Sequence, residues 1–175
     1  MFYDLFVQAL ALVFLLFFIL SYYAKTRIKI LLLQLFGFLF LMLHFLLLHA
    51  WSGFAVQLIN IFSTILFMFK GKKKFLDNNV ILVSFLLLYF ILTLFTWEGF
   101  YSIFAFFAIS IGTFARWQIK PNTIRFTLVF ATLFWIIYDF FVGSYGGIIS
   151  EIVLLVFLFI SLIRNIDFKS KNMFR

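Results

Sequence analysis

The sequence predicts an all-α integral membrane protein in which seven transmembrane helices form two parallel three-helix repeats joined by a fourth helix. Three observations support this fold class: an apolar composition, basic clusters spaced at membrane-spanning intervals, and an internal correspondence between the two halves of the chain. Helices are the expected form of every span, because lipid offers no partners to backbone polar groups and no strand-like alternation is present.

The composition excludes a soluble globular protein. Of the 175 residues, 66% are hydrophobic, 24% aromatic and 11% charged, with a mean hydropathy of +1.20. These values lie outside the range of soluble domains. The net charge of +8 does not predict nucleic-acid binding, because the basic residues flank apolar spans, where they fix orientation and contact anionic lipid headgroups. The absence of cysteine excludes disulfides and thiolate metal sites.

The basic residues predict the membrane topology. They fall in four clusters that alternate with connections carrying almost no positive charge, and short cytoplasmic loops retain lysine and arginine. The N-terminus is therefore predicted outside and the C-terminus in the cytoplasm. The clusters are Lys25/Arg27/Lys29, Lys70/Lys72/Lys73/Lys74, Arg116/Lys120/Arg125 and Arg164/Lys169/Lys171/Arg175.

The apolar block at residues 79–115 determines the number of spans. It lies between two basic clusters, so it must cross twice, with its turn near Glu98. Each half has about 17 or 18 residues, near the lower limit for a helix that crosses about 30 Å of hydrocarbon. The predicted helices cover residues 4–23, 28–48, 53–70, 79–96, 99–115, 123–142 and 146–164.

A shift of 94 positions places the first three helices on the last three. It aligns Trp51 with Tyr145, Gly53 with Gly147 and Lys70 with Arg164. The chain is therefore predicted to be one transmembrane domain, residues 1–175, with four parts. They are repeat one at 4–70, a linker helix at 79–96, repeat two at 99–164 and a cytoplasmic tail at 165–175.

Two acids lie inside predicted spans, where an ionisable group is costly and is a functional candidate. Glu151 is about five residues into the last helix, and Asp139 lies near the outer end of the sixth. A place in a solute pathway or a proton-binding role is one interpretation of Glu151. The alternative is that a short outer vestibule wets both carboxyl groups.

Polar side chains of the second and third helices are the next candidates. Gln57 and Asn60 are three residues apart and share a helix face, so they line a pathway or form interhelical hydrogen bonds. His44 either bonds a neighbouring helix or lines the pathway. With His49 five residues away on another face and no third ligand, no metal site is expected.

Aromatic residues complete the candidate set. Trp135 lies inside the sixth helix, three residues from Tyr138, and is either a stacking wall for a solute or part of the core. Under the 94-residue correspondence, His44, Gln57, Asn60, Tyr138 and Glu151 occupy the outer half of the two repeats. We expect a polar cavity between them that opens outward.

Two stretches carry a resemblance to a known family. Residues 44–60, HFLLLHAWSGFAVQLIN, and residues 135–151, WIIYDFFVGSYGGIISE, resemble the paired signatures of the YgjV family of bacterial inner-membrane proteins. The three-plus-one-plus-three plan is similar to the SWEET and PQ-loop transporters, which implies solute transport between the repeats. The PQ-loop signature is absent, the single proline is Pro121, and the counterpart of Asn60 is Leu154.

These observations favour a transporter of a small polar solute. The alternative is a structural or regulatory subunit of a membrane complex, whose polar residues would face a protein partner. An enzyme is not expected, because no nucleophile with a base and no metalloprotease spacing occurs. No cofactor is implied. A homo-oligomer is compatible with the sequence, and the solute is not specified by it.

Overall fold

The structure is a computed structural model that describes the backbone of residues 2–171 and the side chains of residue 3 and residues 5–164. The end of the predicted tail, residues 172–175, lies outside the described residues. A 3-10 turn at Lys74–Asp77 precedes α4. The helices are α1 Phe2–Tyr23, α2 Arg27–Leu47, α3 Trp51–Met68, α4 Asn79–Phe95, α5 Ser102–Trp117, α6 Pro121–Phe141 and α7 Tyr145–Lys171.

The described part of the chain is all-helical and contains no strand, which confirms the predicted class. Most helix ends lie within two residues of the prediction. The start of α5 differs more: it begins at Ser102, because residues 99–101 form a turn in which Gly99 has a φ of 151°. Helix α7 runs on to Lys171, so its backbone continues beyond the predicted end of the last span.

Within the described part of the chain, five helices are long and apolar enough to cross a membrane. The two others, α4 with 17 residues and α5 with 16 residues, are shorter. The five segments are Leu5–Tyr23, Arg27–Leu47, Trp51–Met68, Pro121–Phe141 and Tyr145–Arg164.

Six of the helices form a closed ring. Helix α1 packs on α2, α2 on α3, α3 on α5, α5 on α6, α6 on α7, and α7 returns to α1. Helix α4 lies outside the ring against α3 and α5. The ring therefore has an interior lined by six helices from two separated parts of the chain.

The polarity of the bundle is reversed with respect to a soluble protein. Large apolar side chains such as Leu5, Phe95 and Phe140 are at least 70% exposed. Polar side chains such as Gln34 and Thr64 are fully buried. An apolar exterior is stable only against lipid, so this arrangement agrees with a membrane protein.

The turns between α2 and α3 and between α6 and α7 have the same backbone geometry. Each contains one residue in the left-handed region, His49 with φ 55° and Gly143 with φ 69°. Four of the five backbone hydrogen bonds of the first turn recur in the second at positions shifted by 94, beginning with Leu48 N to His44 O and Val142 N to Tyr138 O. The two turns thus direct α3 and α7 back along the ring in the same way.

Candidate functional site

A small cavity lies at the centre of the ring. Its volume is about 20 Å³, enough for about one water molecule. Every lining residue is buried, so the six ring helices enclose the cavity. The lining residues are Phe14, Phe18, Tyr22, Phe38, Leu41, Asn60, Ala108, Ile109, Gly112, Arg116, Leu128, Ala131, Thr132, Trp135 and Glu151.

The guanidinium of Arg116 forms one wall of this cavity. The side chain is 2% exposed, although it belongs to the last turn of α5. An arginine on a helix points back toward the N-terminus of that helix, which takes the charge away from the helix end and into the bundle. Its Nη2 donates to Asn60 Oδ1 of α3 and to Thr113 Oγ1 at 2.9 Å. A buried positive charge therefore lies beside the cavity.

The carboxyl group of Glu151 lines the cavity from α7. It is 4% exposed and interacts with the Thr132 hydroxyl of α6. The second acid, Asp139, is also buried, interacts with Ser144, and leaves Oδ1 without a partner among the described residues. Asp139 lies outside the cavity lining, so Glu151 is the acid that faces this space.

Hydrogen bonds between distant parts of the chain tie the helices together on one side of the cavity. His44 of α2 contacts Ser144 Oγ through Nε2 and Val7 O through Nδ1, both at 2.7 Å. The Tyr138 hydroxyl of α6 accepts from Gly53 N at 2.8 Å and pairs with Ser52 Oγ at 2.9 Å. Each of these side chains therefore reaches the start of a helix from the other half of the chain.

The first turn of α3 is also held by the α4–α5 connection. Glu98 Oε1 accepts from Trp51 N at 2.8 Å, and Oε2 accepts from Ser52 Oγ at 2.9 Å. A carboxylate is favourable at a helix N-terminus, where backbone N–H groups lack partners. We call this side of the ring the Glu98 end.

Arginines close the opposite side, the basic end. Arg27 of α2 donates to Phe67 O at 2.7 Å and to Gln118 O at 3.0 Å. Arg125 of α6 donates to Tyr22 O at 3.0 Å and Ala24 O at 2.8 Å. Cations are favourable at helix C-termini, so these contacts join α1, α3 and α5 to the starts of α2 and α6.

A surface groove of about 730 Å³ adjoins the basic end. Lys70 lines it, donates to Trp117 O at 2.9 Å and lies 3.4 Å from the centroid of the Trp117 ring. Burial lowers the pKa of Lys70, nearby Arg27 lowers it further, and Asp77 acts in the opposite direction.

The family model of the Imp-YgjV bacterial inner membrane proteins matches residues 5–169. The match spans nearly the whole chain, including all lining residues of the cavity. The chain belongs to the Imp-YgjV family. This confirms the resemblance seen in the two sequence stretches and the inner-membrane class. No curated protein and no solved structure matches the chain.

In this Imp-YgjV protein the predicted site residues separate into two groups. Asn60, Trp135 and Glu151 line the central cavity. His44 and Tyr138 lie toward the Glu98 end, in the hydrogen bonds described above. Gln57 is linked to the first group, because its side-chain oxygen accepts a hydrogen bond from Asn60 Nδ2 at 2.9 Å. The structure therefore does not gather the five polar residues around one outward-opening cavity.

Arg116 is the residue of this Imp-YgjV site that sequence reasoning missed, because it was assigned to a cytoplasmic cluster with Lys120 and Arg125. A signal was present. Arg116 continues the helix face that carries Ala108 and Gly112, and small residues mark close helix packing in membranes. Among the described side chains, no group of three His, Cys, Asp or Glu could hold a metal ion.

Proposed function

We propose that the chain is a seven-span carrier of a small polar solute, with its N-terminus outside, its C-terminus in the cytoplasm and its pathway between two three-helix repeats. The observation that carries the proposal is a buried central cavity lined by one basic and one acidic residue, Arg116 and Glu151. Intramembrane charges are costly, and they are associated with solute and ion pathways.

The lining of the cavity supports two repeats related by pseudo-twofold symmetry. Ten of its residues form five pairs separated by 94 positions, and each pair takes one residue from each half of the chain. Most pairs place a large side chain of the first half opposite a smaller one of the second. The pairs are Phe14/Ala108, Phe18/Gly112, Tyr22/Arg116, Phe38/Thr132 and Leu41/Trp135.

The arginines of the basic end give independent support. The acceptors of Arg125, Tyr22 O and Ala24 O, correspond under the same shift to two acceptors of Arg27, Arg116 O and Gln118 O. Each half of the chain thus holds a helix end of the other half by the same two carbonyl positions. The ring order is also unchanged when α1–α3 are exchanged with α5–α7.

Seven spans follow in this proposal from the position of α5. Helix α5 packs between α3 and α6 in the ring, and its 16 residues rise about 24 Å, which a locally thinned bilayer accommodates. If α4 and α5 both cross, all four basic clusters lie on one side of the membrane, as the positive-inside rule requires.

The two hydrogen-bonded ends suggest how a carrier would work. A solute enters when one end opens while the other stays closed, so the population of open states shifts with binding. In the proposed cycle, outward opening breaks the His44–Ser144 and Tyr138–Ser52 contacts, and inward opening breaks contacts of Arg27 and Arg125. The similarity of plan to SWEET and PQ-loop transporters belongs to this proposal, as does the assignment to a carrier rather than an enzyme.

Uptake into proteoliposomes tests the proposal. We would screen radiolabelled sugars, amino acids, nucleosides and carboxylic acids with the wild type, Asn60→Ala and Glu151→Gln. Gln118→Ala and Asp77→Asn are matched controls, since each removes a like group outside the cavity. We expect at least tenfold loss of uptake in the cavity variants and little change in the controls.

Two results would contradict the carrier. One is the absence of uptake of every solute under any imposed gradient, together with a stoichiometric partner protein in native membrane, which would favour the subunit alternative. The other is uptake that the cavity variants leave unchanged, which would place the pathway elsewhere.

A further inference from the structure

We infer that Arg116 binds an anionic oxygen group, a carboxylate or a phosphate, and that the solute carries this group. That the bound anion belongs to a transported solute rests on the proposed function. The binding site itself is defined by the contacts around Arg116. It is tested by binding, separately from transport.

Among the described residues, the guanidinium of Arg116 has only neutral hydrogen-bonding partners. The acceptors of Nη2 are an amide oxygen, Asn60 Oδ1, and a hydroxyl, Thr113 Oγ1. The Tyr89 hydroxyl of α4 is a further hydrogen-bonding neighbour. Neutral acceptors orient a guanidinium, but they do not neutralise it, and an uncompensated buried charge is strongly unfavourable.

One donor of the Arg116 guanidinium lacks an acceptor. Arg116 Nε is buried and has no hydrogen-bond partner among the described residues. An unpaired buried donor costs about 1–3 kcal/mol, and more when it is charged. A ligand oxygen that accepts from Nε would remove this cost and supply the missing negative charge together.

The space beside the guanidinium is kept open on one side and packed on another. At Gly112 an added Cβ would lie 3.3 Å from Arg116 Nη1, so glycine keeps this side open. The Phe38 ring lies 4.9 Å from Arg116 Cζ, which is within cation–π range and holds the guanidinium in place without using a donor. The guanidinium is thus oriented and faces a cavity.

Guanidinium geometry selects the class of ligand. Its planar donors match carboxylate and phosphate oxygens, and charge-assisted bonds of this kind are about twice as strong as neutral ones. Glu151 lies on another helix of the same cavity and bonds Thr132. It is therefore placed to contact a different part of the solute from the part that Arg116 holds.

Binding to the purified full-length protein in nanodiscs tests the inference. The probes are sodium acetate, sodium succinate and inorganic phosphate, each compared with acetamide or succinamide at a fixed ionic strength set with sodium chloride. We would follow intrinsic tryptophan fluorescence, since Trp135 lines the cavity, and the thermal midpoint. Saturable signals for at least one anion, absent for the amides, are expected.

Variants assign that binding to Arg116. We expect Arg116→Gln to abolish anion binding and Arg116→Lys to weaken it about tenfold, because lysine keeps the charge but lacks the planar fork. Lys120→Gln, an exposed change of equal charge, should bind as the wild type does. If Arg116→Gln does not fold, the comparison of the lysine variant with the wild type still decides the question.

The outcomes are distinct. Acetate or succinate binding without phosphate binding identifies a carboxylate solute, and the reverse identifies a phosphate. The inference is overturned if the wild type binds none of the anions, or if Arg116→Lys and Arg116→Gln bind them unchanged. If a neutral solute is taken up and the Arg116→Gln variant takes it up equally well, the carrier proposal is supported and the inference about Arg116 is contradicted. If anions bind at Arg116 but no solute is taken up, the anion-binding site is supported and the carrier proposal is contradicted.

Discussion

Arg125 illustrates how a charged side chain is accommodated at the boundary of the bundle. It is 4% exposed, and its three nitrogen donors reach Tyr22 O, Ala24 O and Asn122 Oδ1. Two of these acceptors are carbonyls at the end of α1, where no further helical turn supplies partners. A single residue of α6 thus supplies two donors to the end of α1, where Ser161 Oγ of α7 also donates to Tyr22 O at 3.1 Å.

Substituting Arg125 by alanine should therefore destabilise the fold. We expect Arg125→Ala to lower the free energy of unfolding by about 2 kcal/mol, because buried carbonyl groups lose charge-assisted hydrogen bonds. Denaturation in mixed detergent with sodium dodecyl sulfate, followed by tryptophan fluorescence, measures this change. Lys120→Ala, immediately before α6, is the control, and an equal loss in both variants would contradict the structural role of Arg125.

At the residue scale, sequence reasoning found part of the cavity. Asn60, Trp135 and Glu151 were recognisable because a polar or indole group inside a span is conspicuous. Arg116 was not, because its position at the end of an apolar run is also what an ordinary cytoplasmic flank looks like. Its hydrogen-bond partner Asn60 is 56 residues away in the chain, and such a partner is identified only in three dimensions.

At the scale of elements, the matching turns after α2 and α6 differ in one residue that matters for the backbone. Both need a positive φ, which glycine adopts freely and other residues adopt at a cost of about 1 kcal/mol. Gly143 meets this need directly, whereas the equivalent position holds His49. The turn after α2 is therefore the more strained of the two.

This difference predicts that substitutions at the two positions have opposite effects on the free energy of unfolding. Gly143→Ala should lower the free energy of unfolding by about 1 kcal/mol, although nothing lies within 4 Å of the added Cβ, because the cost is in the backbone. His49→Gly should not lower the free energy of unfolding, because glycine relieves the backbone strain at this position. Thermal unfolding of both variants checks the pair. A stable Gly143→Ala with a destabilised His49→Gly would contradict the shared turn geometry.

The helices themselves were largely predictable, because apolar runs bounded by basic residues set their length. The start of α5 was predicted three residues early, at residue 99 instead of Ser102, since Gly99 to Tyr101 are apolar enough to be taken for helix. The order of the helices around the ring could not be predicted from the sequence. Lateral neighbours depend on side-chain packing between distant segments, and the apolar faces of these helices are similar to one another.

The whole molecule combines a lipid-compatible exterior with a polar interior that is held at both ends. Gln8 of α1 accepts from Gly146 N of α7 at 2.7 Å, so contacts at the Glu98 end also close the seam between the first and last ring helices. The basic end is closed by Arg27 and Arg125. In the carrier proposal this structure is the closed state of the cycle, with the cavity at its smallest.

The most direct test of a pathway through the cavity is reagent access to Thr132, a lining residue that is 4% exposed. The chain has no cysteine, so Thr132→Cys is the sole thiol in its variant. Tyr145→Cys and Lys73→Cys, at exposed positions of the two opposite ends, report sidedness. We expect a membrane-impermeant methanethiosulfonate to label Tyr145→Cys only from outside, Lys73→Cys only from inside, and Thr132→Cys from both sides. Labelling of Thr132→Cys from neither side, with both surface variants reacting as expected, would show that the centre of the ring is sealed packing and would contradict the carrier.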